Sequence, residues 1–247
     1  MAPTNIKLKV TKFNPYGNHS IWTDDAWVRW AVIKEPIERF VSGWINKCGP
    51  NGEADINVAT ECADCKHDFE CFIRETHKRL DAAAAGQTLQ NFRMFDHFFP
   101  QYWFCNFTNH YQDYTRIFRH SSQESFRTDM RSAFLSRGFP EEIILQGWGH
   151  NQTVPFLGRE TAHHINQTSK QGWFNLIRTN LKLTDYLAKV YFVDYLSFQY
   201  PLPEWIPKLC RLHREVTIDS EYFSCRLLAY ARLNSNFPAF LKKNWFP

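Results

Sequence analysis

The sequence predicts a single α/β domain in which helices flank a mainly parallel central sheet, followed by a helical C-terminal extension. Three observations carry this. The 247 residues are 44% hydrophobic and 22% charged, a balance that fills a core and excludes wholesale disorder. A short apolar run turns directly into an amphipathic stripe between Trp27 and Lys47. Further helical patterns, separated by turn residues and another short apolar run, follow along the chain.

The elements are read in order. Residues 1–26 are irregular, with Pro3, Pro15 and the turn-like Tyr16-Gly17-Asn18. Trp27 to Ile33 is apolar except for Arg29 and predicts a buried strand. Lys34-Glu35-Pro36 ends it, and Pro36 suits the first turn of a helix because its missing N–H has no partner to lose there. Ile37, Phe40, Val41, Trp44 and Ile45 then form a helical stripe. Cys48 to Lys66 is a loop. Asp68 to Ala85 is a second helix, closed by Gly86 in the left-handed position. A phenylalanine-rich loop holds Phe92, Phe95, Phe98 and Phe99, and His97 to Gln112 is a packed loop or short strand. Tyr114 to Arg119 predicts another strand. Ser122 to Arg137 is a helix stopped by Gly138 and Pro140, and Glu141 to Gln146 is a short one. A loop over 147–158 precedes helices at Arg159–Gln167 and Thr184–Phe198. The tail carries one helix, Asp219–Asn234. The division is an N-terminal segment 1–26, a domain 27–203 and an extension 204–247, without internal repeats.

Composition excludes some functions. The net charge is +4, too little to argue for nucleic acid. No run approaches the roughly 18 apolar residues of a membrane span. Met1 to Lys12 has no apolar block after its lysines, so no signal peptide is expected.

Seven cysteines stand at 48, 62, 65, 71, 105, 210 and 225. Cys62-x-x-Cys65 with His67 and Cys71 could ligate zinc. The same cysteines could instead staple a loop in an oxidising compartment, or be free buried thiols in a cytosolic protein. Four Asn-x-Ser/Thr sequons, at Asn18, Asn106, Asn151 and Asn166, favour the disulfides. No metal is expected. The odd count leaves one cysteine without an internal partner.

The segment that carries chemistry is Val32-Ile33-Lys34-Glu35-Pro36-Ile37-Glu38-Arg39-Phe40-Val41-Ser42-Gly43-Trp44. It places a lysine at the carboxyl edge of a strand, where α/β sheets bind ligands. The next helix N-terminus offers N–H groups and a positive dipole end. Arg39 and Ser42 lie about 60° apart on the helix wheel, off the apolar stripe. Lys34, Arg39 and Ser42 could therefore converge on a phosphate, a cation and a hydroxyl being what a phosphomonoester needs. The alternative is a solvated face of an ordinary helix.

This segment resembles the 3′-phosphate-binding motif of the Golgi carbohydrate sulfotransferases, Arg-Asp-Pro-x-x-Arg-x-x-Ser. It is most similar to the chondroitin 4-sulfotransferase-like branch, whose variants read Arg-Glu-Pro-x-x-Arg-Phe-x-Ser-Gly. Cys48, the Cys62/Cys65/Cys71 cluster, the stretch His97-Phe98-Phe99-Pro100-Gln101-Tyr102-Trp103-Phe104-Cys105-Asn106-Phe107 and the stretch Val190 to Tyr200 resemble that branch in order and spacing. The likeness runs from about Trp27 to Tyr200.

The resemblance implies a P-loop-like sulfotransferase fold in the Golgi lumen. The donor would be 3′-phosphoadenosine 5′-phosphosulfate (PAPS) and the acceptor a hydroxyl of a chondroitin-like glycan. By carry-over, Lys34 and Ser42 hold the donor's 3′-phosphate with Arg39 in support. Thr153, in Asn151-Gln152-Thr153, matches the Thr of a second donor-contacting His-x-Thr segment, while Asn151 replaces its His. His97 is the candidate base, its alternative being a structural histidine under an aromatic loop. Two departures stand out. Lys34 replaces an arginine and so lacks the bidentate fork. The upstream loop that grips the 5′-phosphosulfate, and the membrane anchor before it, have no counterpart in residues 1–26, so an N-terminal strand–loop–helix is expected to be missing. A catalytically inactive, sulfotransferase-like lumenal interaction protein is the alternative reading.

Overall fold

A computed structural model describes residues 29–50, 52, 62–87, 95–120, 122–147, 167–212 and 220–226. Strand β1, Trp30–Ile33, leads through Lys34 and Glu35 into helix α1, Pro36–Lys47. Pro36 opens α1, and the Glu35 carboxylate caps it by accepting the Glu38 N–H at 2.5 Å. The expected stripe is the buried face: Ile37, Phe40, Val41 and Trp44 are all 0% exposed. Helix α2, Phe69–Ala84, starts where Asp68 accepts the Cys71 N–H and ends before Gly86, whose φ of +88° only glycine adopts without strain.

The stretch over residues 95–113 is neither open loop nor strand. It winds into 3₁₀ turns at Phe95–Phe98, Gln101–Asn106 and Tyr111–Asp113, with a single α-helical turn, α3, at Phe107–His110. Its aromatic side chains drive it onto α1 and α2. Phe98 and Phe99 are buried, and the Phe98 ring lies 5.4 Å from Phe40 and 4.8 Å from Phe72. Gly43 makes room for it, since a Cβ there would stand 3.0 Å from Phe98 Cε1.

Strand β2, Arg116–Arg119, pairs parallel to β1, with Trp30 opposite Arg116 and Ile33 opposite Arg119. Among the described residues the sheet has these two strands, so the architecture is helix-rich with a small parallel sheet. Helix α4, Gln123–Leu135, is capped by Ser122, and α5 spans Glu141–Gly147. Helix α6, Gln167–Thr179, falls across a stretch whose helical pattern escapes the sequence reading. Helix α7, Leu181–Ser197, starts at the Asn180 cap, earlier than expected. Helix α8, Trp205–Leu212, is also unanticipated because Pro207 obscures it, although proline is tolerated in a first turn. Ile206 and Cys210 of α8 are buried in the same core as α1, α2 and α7. The expected helices Arg159–Gln167 and Asp219–Asn234 lie largely outside the described residues.

Three disulfides join Cys48 to Cys62, Cys65 to Cys71 and Cys210 to Cys225. The zinc alternative fails on this pairing: its three sulfurs are consumed in two different bridges, and His67 Nδ1 lies 3.0 Å from the Cys48 carbonyl. Cys105, the seventh, has a side chain outside the described residues.

Helix α7 fixes the 3₁₀ segment through one carboxylate. Asp194 is 0% exposed; its Oδ2 accepts the Gln101 N–H at 2.7 Å and its Oδ1 the Tyr102 N–H at 2.9 Å. It is a side-chain cap for the 3₁₀ turn. One turn earlier the Tyr191 hydroxyl donates to the Phe98 carbonyl at 2.7 Å. Burial pushes the Asp194 carboxyl up to about 6, against the opposing pull of the two N–H groups.

Peptide mapping without reduction is expected to recover the 48–62, 65–71 and 210–225 linkages; any scrambled pairing among these six would contradict the fold. Asp194→Leu removes the acceptor of two part-buried N–H groups and is expected to cost about 1–3 kcal/mol in all, read by chemical denaturation. The raised pKa of Asp194 sets the sign with pH. Between roughly pH 6 and pH 4 the folded state binds the proton more readily than the unfolded chain, so the Asp194 contribution to stability grows as pH falls through that window. A stability difference between wild type and Asp194→Asn that stays flat across the window would contradict this.

Candidate functional site: the β1–α1 turn

Lys34 is the first residue past β1, at the carboxyl edge of the sheet. Its backbone is held by one side chain. Gln101 Oε1 accepts the Lys34 N–H at 2.9 Å while Gln101 Nε2 donates to the Lys34 carbonyl at 2.8 Å. Both hydrogen-bonding groups of this peptide are thereby paired, as a partly buried turn requires. The chain Asp194 to Gln101 to Lys34 thus carries the position of α7 into the turn.

From there the Lys34 side chain runs alongside α1. Its Nζ donates to Ser42 Oγ at 3.2 Å and lies 3.4 Å from Glu38 Oε1. The same carboxylate oxygen accepts from Lys170 Nζ of α6 at 2.9 Å. All three charged side chains are partly exposed, at 24% for Lys34, 31% for Glu38 and 35% for Lys170. Burial lowers the Lys34 ammonium below its ordinary value, and the nearby Lys170 charge adds to that, while Glu38 opposes it. Burial would raise Glu38, but the hydrogen bond from Lys170 and the charge of Lys34 outweigh it and hold the carboxyl below its usual range.

Two expectations about this turn change in detail. The helix N-terminus is not an open set of donors, because the Glu35 carboxylate takes the Glu38 N–H. Glu35 is itself held by the Tyr195 hydroxyl, which donates to its Oε1, and burial pushes the Glu35 carboxyl above its ordinary pKa. An anion here would meet side chains first. Arg39 does not project beside Lys34 as a free third cation. Its Nη1 donates to the Phe99 carbonyl at 2.7 Å, and its guanidinium lies 5.7 Å from the Phe104 ring centre. It ties the 3₁₀ segment to α1 behind the Lys34–Ser42 pair.

His97 stands exposed on the 3₁₀ turn at Phe95–Phe98, two residues before the carbonyl that Arg39 holds. Thr153 and Asn151 lie outside the described residues. The structure thus joins Lys34 to Ser42 and links Arg39 to the 97–104 segment. Sequence reasoning missed Glu38, Gln101, Lys170, Asp194 and Tyr195. Asp194 had a signal, a lone acid in the apolar Val190–Tyr200 run; Lys170 had none, because its helix was not read.

Elsewhere, a cavity of about 430 Å³ lies between the sheet and α4, lined by Trp30, Phe118, Met130, Phe134 and Phe139. It sits at the opposite end of β1 from Lys34. Among the described residues no group of three or more His, Cys, Asp or Glu could hold a metal ion. Among them too, no helix is long and apolar enough to cross a membrane.

A lysine ammonium hydrogen-bonded to a hydroxyl, beside a second ammonium, can bind a phosphoryl or sulfuryl group. The comparisons with known proteins agree with that chemistry. An uncharacterised protein of Caenorhabditis elegans is 27% identical over 184 residues, covering 72% of this chain and 48% of its own length. A protein of the same organism named carbohydrate sulfotransferase chst-1 is 21% identical over 176 residues, covering 68% of this chain and 51% of its own length. The chain therefore spans about half the length of these relatives. No solved structure gives a significant match. The sulfotransferase family matches residues 4–201, which takes in the segment ahead of Trp27 as well as β1 through α7. With most of its length covered by that match, this chain belongs to the sulfotransferase family.

Proposed function

We propose that the chain is a carbohydrate sulfotransferase domain whose donor is PAPS and whose acceptor is a hydroxyl of a chondroitin-like glycan. The observation that carries the proposal is the Lys34 Nζ to Ser42 Oγ contact of 3.2 Å at the carboxyl edge of β1. A phosphomonoester set against this pair receives a charged donor and a neutral one. The lowered pKa of Lys34, caused first by burial, marks an ammonium that gains from a further anion. In this reading Lys34 and Ser42 bind the donor's 3′-phosphate. Arg39 supports them by fixing the segment that carries His97, and Thr153 contributes a second donor contact.

The transfer itself needs one proton acceptor. The acceptor hydroxyl oxygen attacks sulfur, the bond from sulfur to the bridging phosphate oxygen breaks, and His97 takes the hydroxyl proton. The leaving group is adenosine 3′,5′-bisphosphate. Three disulfides support a place in the secretory pathway, and the Golgi lumen is the compartment that supplies such glycans.

Adenosine 3′,5′-bisphosphate is expected to raise the melting temperature, because a ligand that binds only the native state stabilises it. Lys34→Ala and Ser42→Ala are each expected to shrink that shift, the lysine change weakening affinity about tenfold or more. No shift at millimolar ligand rejects donor binding. Transfer of labelled sulfate from PAPS to chondroitin supports the enzyme; nucleotide binding without transfer to any glycan tested favours a sulfotransferase-like interaction protein instead.

A further inference from the structure

Lys170 reaches the β1–α1 turn from a helix 132 residues away in sequence, and its placement is built rather than incidental. Trp173, one turn along α6, packs edge-on against Trp44 at 6.0 Å and against Phe69 at 4.9 Å. These contacts set the rotation of α6 about its own axis. With that rotation fixed, Lys170 projects along the same side, its Nζ 5.9 Å from the Phe174 ring centre and 2.9 Å from Glu38 Oε1. Lys34 Nζ approaches the same oxygen at 3.4 Å and also reaches Ser42 Oγ at 3.2 Å. One carboxylate oxygen therefore sits between two ammonium groups, one of which also holds the Ser42 hydroxyl.

A carboxylate oxygen has the charge and donor requirements of a phosphate oxygen. A phosphomonoester carries close to two negative charges near neutrality. A lone lysine meets it as a single point charge, without the paired donors of an arginine. Among the described residues, α6 brings a second cation to the Glu38 oxygen through Lys170. Two ammonium groups this close repel each other unless an anion lies between them, and in the absence of ligand that anion is Glu38.

We infer that Lys170 is a second cationic ligand of the donor's 3′-phosphate, and that Glu38 is an internal place-holder which the phosphate displaces from between Lys34 and Lys170. This rests on the donor-binding reading above and adds to it a residue and an exchange step. Glu38 lies on the first turn of α1 and is 31% exposed, so its side chain has a route to solvent when the phosphate arrives. The lysines keep an anion between them throughout; only its identity changes.

The test uses calorimetric titration with adenosine 3′,5′-bisphosphate and with adenosine 5′-monophosphate, which lacks the 3′-phosphate. Wild type, Lys34→Ala, Lys170→Ala and Glu38→Gln are compared, with ligand-free melting temperature as the folding control. Lys170→Ala is expected to lose about tenfold or more in affinity for the bisphosphate and to leave the monophosphate unchanged. Glu38→Gln is expected to tighten the bisphosphate a few-fold by removing the competing charge. Equal bisphosphate affinity in wild type and Lys170→Ala overturns the inference, as does a parallel loss for both nucleotides. Weaker bisphosphate binding by Glu38→Gln overturns the displacement. Loss in Lys34→Ala without loss in Lys170→Ala sinks this inference while sparing the donor site; no binding by wild type sinks both.

Discussion

Asp194 accepts two backbone N–H groups at the start of a 3₁₀ turn while being wholly removed from solvent. A buried carboxylate is costly, and here the cost is offset by the two backbone N–H groups that donate to it. The consequence for the site is geometric. Gln101, whose N–H is one of those donors, turns its side-chain amide to both backbone groups of Lys34. A helix late in the chain thereby positions the turn after the first described strand. Arg39 and Tyr191 brace the same segment by donating to the carbonyls of Phe99 and Phe98. Without this bracing Lys34 would sit on an ordinary exposed turn, and its approach to Ser42 would be one rotamer among many.

The electrostatics follow from the same arrangement. Lys34 and Lys170 share Glu38, and the three partly buried charges leave one net positive charge beside the Ser42 hydroxyl. In the proposed site an incoming dianion would meet both cations already oriented, so little side-chain ordering would be left to be lost on binding. Under the same proposal, the second lysine from α6 would add charge where Lys34 stands in place of the motif's arginine. The disulfides serve another part of the molecule. Cys48–Cys62 and Cys65–Cys71 tie the end of α1 to the start of α2, close to Trp44 and Phe69, so the stapled loop and the aromatic core stabilise one another.

Local signals in the sequence were strong where the structure obeys local rules. The α1 stripe, Pro36 at its start, helices beginning at Asp68 and Ser122 and Gly86 as terminator were all legible, because each signal acts within a few residues. The Lys34–Ser42 approach was legible for the same reason, both residues belonging to one strand–turn–helix unit. What escaped depends on distance in the chain. Helix α6 has a polar start and a glycine within it, and only packing of Trp173 on Trp44 makes its face visible. Lys170, Gln101 and Asp194 draw their roles from contacts between segments far apart in sequence, which no periodicity encodes. Arg39 sat on the expected side of α1, yet the wheel angle could not show that the Phe99 carbonyl would claim it.

In the proposed reading the β1–α1 turn is a phosphate site held in place from α7. A crystal structure of the chain with adenosine 3′,5′-bisphosphate is the decisive measurement. The 3′-phosphate is expected within hydrogen-bond distance of Lys34 Nζ and Ser42 Oγ, with Gln101 still bridging the backbone of Lys34. A nucleotide seated elsewhere, with Lys34 and Ser42 unengaged, would contradict it.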